Sequence, residues 1–205
     1  MIENKLDWNY IKKNIQSSIL NREIIQSINI KKTKQISKRI NQLKDISPIW
    51  NGLLDKVEWL EQTPQKLNPQ ERSLWKLIAI LYYTEGPLNI IINYIIYSLI
   101  IKGKKIKIRR EKRFADSFDD IYKIPLVDRL DFLKKNDFDF MSKIPPRDIR
   151  NAIAHQYLIK KIEPDGTVIL TTEKKFNPAI LDERVRNIVK LIKIFSANLK
   201  PFHPQ

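Results

Sequence analysis

Cysteine is absent from the 205 residues, so the chain holds no disulfide framework and no thiolate zinc site. Histidine occurs only at His155 and His203, too few for a multi-histidine metal centre. The four glycines, Gly52, Gly86, Gly103 and Gly166, are too scattered for a Walker loop or a GxGxxG turn, which excludes nucleotide-binding α/β enzymes of those kinds. Acids and amides interrupt MIENKLDWNYIKK, where a signal peptide needs a continuous apolar core, and the expected location is the cytoplasm. Long apolar runs are scarce too. From Pro87 to Ile101 there are about 15 apolar-rich residues where a bilayer-spanning helix needs roughly 20. Asn89 and Asn93 interrupt that run, so a buried core helix is expected there and no membrane partner.

Positive charge is what the chain has in excess, with 38 Lys plus Arg against 23 Asp plus Glu and a formal net charge of +15. Residues 51–100 carry a net −1, whereas residues 1–50 and 101–150 carry +6 each. Such a spread suits a polyanion partner. A Lys- and Ile-rich composition with a lysine-laden surface accounts for it equally well.

Proline marks the helix starts, because it is tolerated at the first helical position and a small polar residue before it can cap. Ser47-Pro48, Asn68-Pro69 (with Glu71 at the capping-box position) and Asn177-Pro178 each precede a segment whose apolar residues recur at three and four. In the last of them Leu181, Val185, Ile188, Val189, Ile192 and Phe195 form one stripe. Residues 1–47 read as a basic helical extension and 48–205 as the main helical domain. The run 102–113, KGKKIKIRREKR, carries eight basic residues and one acid. Side-by-side like charges repel, so an exposed loop or ragged helix end is expected, with Lys104, Lys105, Lys107, Arg109 and Arg110 as phosphate contacts or as plain solvated charge. Pro164-Asp165-Gly166 reads as a turn and Thr167–Thr171 as a short strand, which makes any sheet a single hairpin. The fold class is all-α, a helical bundle with a small β appendage.

The informative run is PPRDIRNAIAHQYLIKK, residues 145–161, where tandem prolines start a helix and Asp148 sits in its first turn. At 100° per residue, Ile149, Ala152, Ile153, Gln156 and Tyr157 fall within roughly 80° of one direction, a core-facing stripe. The opposite arc collects Arg147, Arg150, Asn151, Ala154, His155 and Leu158. Its small centre at Ala154 admits a close second helix, for which the same helix of a two-fold-related copy is the obvious candidate. Arg150 and His155 would then share a cleft, guanidinium for phosphate and imidazole for protons, a combination suited to RNA cleavage without a metal.

The string RNAIAH, Arg150 to His155, resembles the Arg-polar-any three-His signature of the HEPN superfamily, and the resemblance extends over about residues 68–200. It implies an HEPN-like helical bundle with a short β-hairpin after the motif helix. It further implies a cofactor-free, metal-independent endoribonuclease with a composite site at a homodimer interface. In that reading Arg150 binds or polarises phosphate, His155 transfers protons, and Asn151 orients His155 or the phosphate. Arg147 is either a solvated helix-start residue or a further phosphate contact, and Glu85 an acid placed to hold Arg150. Many such proteins are toxins or antiviral defence effectors acting on RNA, some kept with an antitoxin such as a minimal nucleotidyltransferase. Others of the fold are non-catalytic modules binding RNA, nucleotides or proteins. The plainer alternatives stay open: His155 as a structural histidine, Arg150 merely paired with Asp148 or another acid, Glu85 as an ordinary acid at a helix break. Asp116, Asp119 and Asp120 are a weak candidate for a divalent ion, and His203 sits in a terminal tail.

Overall fold

Asn68 starts the longest helical run by a reciprocal cap: its Oδ1 accepts from the Glu71 amide at 2.9 Å, and Glu71 Oε2 accepts from the Asn68 amide at 2.9 Å. Pro69 then occupies the first helical position, where its missing N–H costs nothing. The computed structural model that shows this describes residues 6–18, 50, 52, 53, 56, 57, 59, 60, 66–144, 147–154 and 158–199. Most of the expected basic extension, the Ser47-Pro48 start, His155 and His203 lie outside the described residues. The protein is mainly helical with two small antiparallel sheets.

The described helices are α1 (Trp8–Ser18), α2 (Pro69–Tyr83), α3 (Asn89–Ile101), α4 (Phe118–Tyr122), α5 (Leu126–Lys134), α6 (Arg147–Ala154) and α7 (Pro178–Leu199). Between α2 and α3 the expected break at Gly86-Pro87 does not occur. A π-helical turn, Thr84–Leu88, carries the helix through. Pro87 has no N–H to return to the preceding turn, and the wider turn absorbs that gap in the hydrogen-bond ladder. Thr84 Oγ1 donates to the Ile80 carbonyl at 2.7 Å, and Gly86 lets Leu53 approach until an added Cβ would lie 3.3 Å from its Cδ2. The resulting run Pro69–Ile101 is long and apolar enough to cross a membrane by length and composition, and 83% of its most apolar window is buried inside the protein.

The chain divides into two compact units, residues 1–49, 90–143 and 193–205 in the first, 50–89 and 144–192 in the second. In the first unit every residue of α3 from Ile90 to Ile101 is buried. Inside it, Arg129 of α5 is 7% exposed and its Nη1 donates to Asn93 Oδ1. Buried charge of this kind tolerates no loss of its acceptor. Helix α1 joins the same unit: Ile11 and Ile15 are buried, the Tyr10 ring meets Phe140 edge-on, and Lys102 Nζ donates to the Ser17 carbonyl at 2.6 Å. Those contacts hold the start of the chain against residues far along it.

The basic run 102–113 corrects the sequence reading in part. Most of it is exposed turn and irregular chain as expected, but it also forms a short hairpin, β1 (Lys107–Ile108) antiparallel to β2 (Arg113–Phe114), with Lys107 opposite Phe114 and Ile108 opposite Arg113. Ile106 and Ile108 are buried while Lys105 and Lys107 are exposed, so period-two burial outweighs charge repulsion. Asp120, its side chain 8% exposed, receives Arg113 bidentately at 2.7 and 2.6 Å, and Lys123 stands 3.4 Å away. One of the acids read as a metal candidate is thus taken up by a guanidinium.

Arg113 beside it holds the Asp120 carboxyl down to about 2. A depressed acid contributes stability above its unfolded value near 4 and loses it as pH falls toward 2. We therefore expect Arg113→Ala to lower the melting temperature most above pH 5, with the gap from wild type closing as pH approaches 2. Melts followed by circular dichroism across that range check this, and a gap constant with pH would count against the pair.

The second unit packs Leu77 and Ile80 of α2, Ile149 and Ala152 of α6, Val168, Leu170 and Leu181 into one core. Its sheet corrects the expectation of a single hairpin: β3 (Ile159–Ile162), β4 (Val168–Leu170) and β5 (Lys175–Phe176) form three antiparallel strands in that order. The turn at Pro164-Asp165-Gly166 is as expected, closed by the Gly166 amide on the Glu163 carbonyl at 2.8 Å. Asn177 likewise caps α7, its Oδ1 accepting from the Ile180 amide at 2.9 Å.

Candidate functional site

Helix α6 is shorter than its sequence pattern suggested. It is described as far as Ala154, and Ile159–Ile162 is already strand, so Leu158, expected beside Arg150 on the polar arc, instead packs against the core of the unit. Of the expected inward stripe Ile149 and Ala152 are each 1% exposed, while the side chains of Ile153, Gln156 and Tyr157 lie outside the described residues. Asp148 in the first turn accepts from Lys174 Nζ at 2.6 Å, and that ammonium keeps the Asp148 carboxyl below its ordinary range. Asp148 is therefore not the partner of Arg150.

That partner is Glu85, whose side chain is 46% exposed against 31% for Arg150. Arg150 Nε donates to Glu85 Oε1, and Arg150 Nη1 donates to Asn151 Oδ1 at 3.0 Å. The π-turn lies behind this meeting, because Glu85 is carried within the turn that Pro87 imposes. Both residues belong to the second unit. A guanidinium has five N–H donors; two are engaged here, and three have no partner among the described residues. The free set includes both hydrogens of Nη2, the edge suited to a bidentate grip on phosphate. Surface ion pairs of this exposure contribute about 0–1 kcal/mol, so the arrangement orients Arg150 more than it stabilises the fold.

His155 follows Ala154 directly in the chain but lies outside the described residues, as does the side chain of Arg147. Asn151, expected to orient His155 or a phosphate, accepts from Arg150 Nη1 through its side-chain oxygen. Among the described residues no group of three or more His, Asp or Glu side chains is arranged to hold a metal ion.

The expected phosphate contacts Lys104, Lys105, Lys107, Arg109 and Arg110 are all exposed, and all belong to the first unit. They are not equivalent. Arg109 pairs with Asp128 at 2.9 Å, and Lys105 Nζ stands 5.6 Å from the centre of the Phe114 ring. The side chains of Lys104, Lys107 and Arg110 have no ion-pair partner among the described residues. Sequence reasoning passed over Phe114, although an aromatic directly after a basic run is a recognisable signal.

A scan against protein-family models finds no match, and searches of the curated proteins and of the solved structures likewise find none.

Proposed function

We propose that this protein is a metal-independent endoribonuclease of HEPN type, acting as a homodimer in the cytoplasm as a toxin or antiviral defence effector. The observation that carries the reading is Arg150, held by Glu85 and Asn151 with its Nη2 edge open, five positions before a histidine in the RNAIAH string. In the proposed reaction the ribose 2′-oxygen attacks the adjacent phosphorus and the 5′-oxygen of the next nucleotide leaves. His155 takes the 2′-OH proton or supplies one to the leaving oxygen, and Arg150 stabilises the charge growing on the non-bridging oxygens. The products are a 2′,3′-cyclic phosphate and a free 5′-hydroxyl. Asn151 and Glu85 are positioning residues that act through Arg150.

Support for a partner copy comes from α2, where Leu74 and Ile78, four residues apart, are 49% and 48% exposed. Apolar side chains on one stripe of a helix favour coverage by another chain. An antitoxin such as a minimal nucleotidyltransferase is the other proposed partner, and the basic extension a further contact for RNA.

The test is incubation of the purified full chain with end-labelled RNA in EDTA. Wild type is expected to cleave, and His155→Ala to leave the RNA intact while keeping the wild-type melting temperature and dimer mass. Equal cleavage by the two proteins would remove His155 from the chemistry. Ala154→Glu, at the expected close approach of two motif helices, should halve the mass seen by light scattering and lose cleavage with it; an unchanged dimer moves the interface elsewhere.

A non-catalytic RNA-binding module of the same fold is the second reading, favoured by the exposed basic hairpin, which can hold RNA with no reaction.

A further inference from the structure

Phe114 is 52% exposed, an unusual position for a phenylalanine, and it directly follows the run 102–113 with its eight basic residues and one acid. Three observations fix its surroundings. Lys107 is its cross-strand partner, Lys105 places its ammonium 5.6 Å from the ring centre, and Arg110 and Lys112 lie exposed in the connecting turn. The opposite side of the hairpin is anchored by buried Ile106 and Ile108 and by the Arg113–Asp120 fork. The ring is therefore presented by a braced hairpin, with the Lys105 ammonium over one of its faces and Lys107 opposite it on the neighbouring strand.

An aromatic face offers stacking to any base, and ammonium groups beside it engage the phosphates on either side of that base. A duplex hides its base faces inside the stack, whereas a single strand can splay one out. We infer that the outer face of the β1–β2 hairpin binds single-stranded RNA, with one base stacked on Phe114 and the adjoining phosphates on Lys105 and Lys107. The inference deepens the ribonuclease reading and rests on it for the choice of RNA, but its residues belong to the other unit from Arg150. Phe114 is a binding residue and takes no part in bond breaking.

Fluorescence anisotropy with the full chain in EDTA tests it, using a 12-nucleotide 2′-O-methyl oligouridine that cannot be cleaved by 2′-oxygen attack and a 12-base-pair RNA duplex. Wild type should bind the single strand more tightly than the duplex. Phe114→Ala should weaken the single strand about tenfold and the duplex little, with the slope of log affinity against log salt unchanged. Phe114→Trp should restore binding, and Lys105→Ala with Lys107→Ala should flatten the salt slope by about two contacts. Equal binding by wild type and Phe114→Ala, a preference for duplex, or no binding of the single strand would each overturn the inference. So would Phe114→Ala releasing the protein from phosphatidylserine vesicles but not from the oligonucleotide, which would mark the surface as a membrane contact. Wild type that cleaves RNA with free 2′-hydroxyls while Phe114→Ala binds normally defeats this inference alone. Binding as described with no cleavage by wild type defeats the ribonuclease reading and leaves a single-strand-binding surface.

Discussion

Arg150→Ala is expected to lower RNA cleavage by about a thousandfold, the cost of removing a well-placed donor to the charge that develops on a reacting phosphate. The fold should survive, since the side chain is 31% exposed and its surface pair with Glu85 is worth about 0–1 kcal/mol. Arg150→Lys should recover only part of the loss, because an ammonium keeps the charge but not the planar two-point edge. Glu85→Ala separates orientation from charge. It leaves the guanidinium in place without its Nε anchor, so kcat should fall by about ten- to a hundredfold while KM stays level or drops, the phosphate having lost a competing carboxylate. Steady-state kinetics on one short RNA reads all four proteins. Loss of stability in Arg150→Ala comparable to its loss of rate would assign the residue to structure. So would a Glu85→Ala protein with unchanged kcat and raised KM.

Gly166→Val should cost about 4 kcal/mol of stability, from a positive φ that a β-branched residue resists and from contacts too close to relieve. The backbone there has φ +86°, and an added Cβ would lie 2.6 Å from the Pro69 carbonyl oxygen and 2.8 Å from Ser73 Oγ. The Ser73 hydroxyl also donates to the Gly166 carbonyl at 2.6 Å, and Ser73 is fully buried. The turn is thus clasped against the start of α2, and it cannot retreat without breaking that bond. Gly103 is the control. Its φ is +92° but nothing lies within 4 Å of an added Cβ, so Gly103→Ala should cost only the backbone term of about 1–2 kcal/mol. Urea unfolding of the two variants measures the difference, and equal losses would show that close packing at Gly166 contributes nothing.

Two helix starts were legible because their chemistry is local. Asn68 with Glu71, and Asn177 with Pro178, satisfy exposed amides within one turn, and no distant residue has to be known. Glu85 could be named as a partner for Arg150 from its place beside the apolar helix, and the two side chains do meet. The way they meet was not legible. Proline chemistry at Pro87 argues for a break, and only the continuous burial of α3 explains why the helix runs on through a π-turn. Within the exposed 102–113 segment the short hairpin was missed because eight basic residues outweighed the Lys-Ile-Lys-Ile alternation, the signal of a half-buried strand. At the end of α6 the pattern failed for the opposite reason. Leu158 and Ile159 extend a helical spacing that the packing of the sheet overrides. Strands as short as β5, Lys175–Phe176, carry too few residues for any period.

The central claim is that Arg150 and His155 act together on a phosphodiester through the neighbouring 2′-oxygen. Mass spectrometry of the fragments released from a defined RNA by the wild-type protein in EDTA tests it most directly. The expected fragments end in a 2′,3′-cyclic phosphate on one side of the cut and a 5′-hydroxyl on the other, and they disappear with Arg150→Ala or His155→Ala. Fragments ending in a 5′-phosphate and a 3′-hydroxyl, or cleavage that persists in both variants, would contradict it.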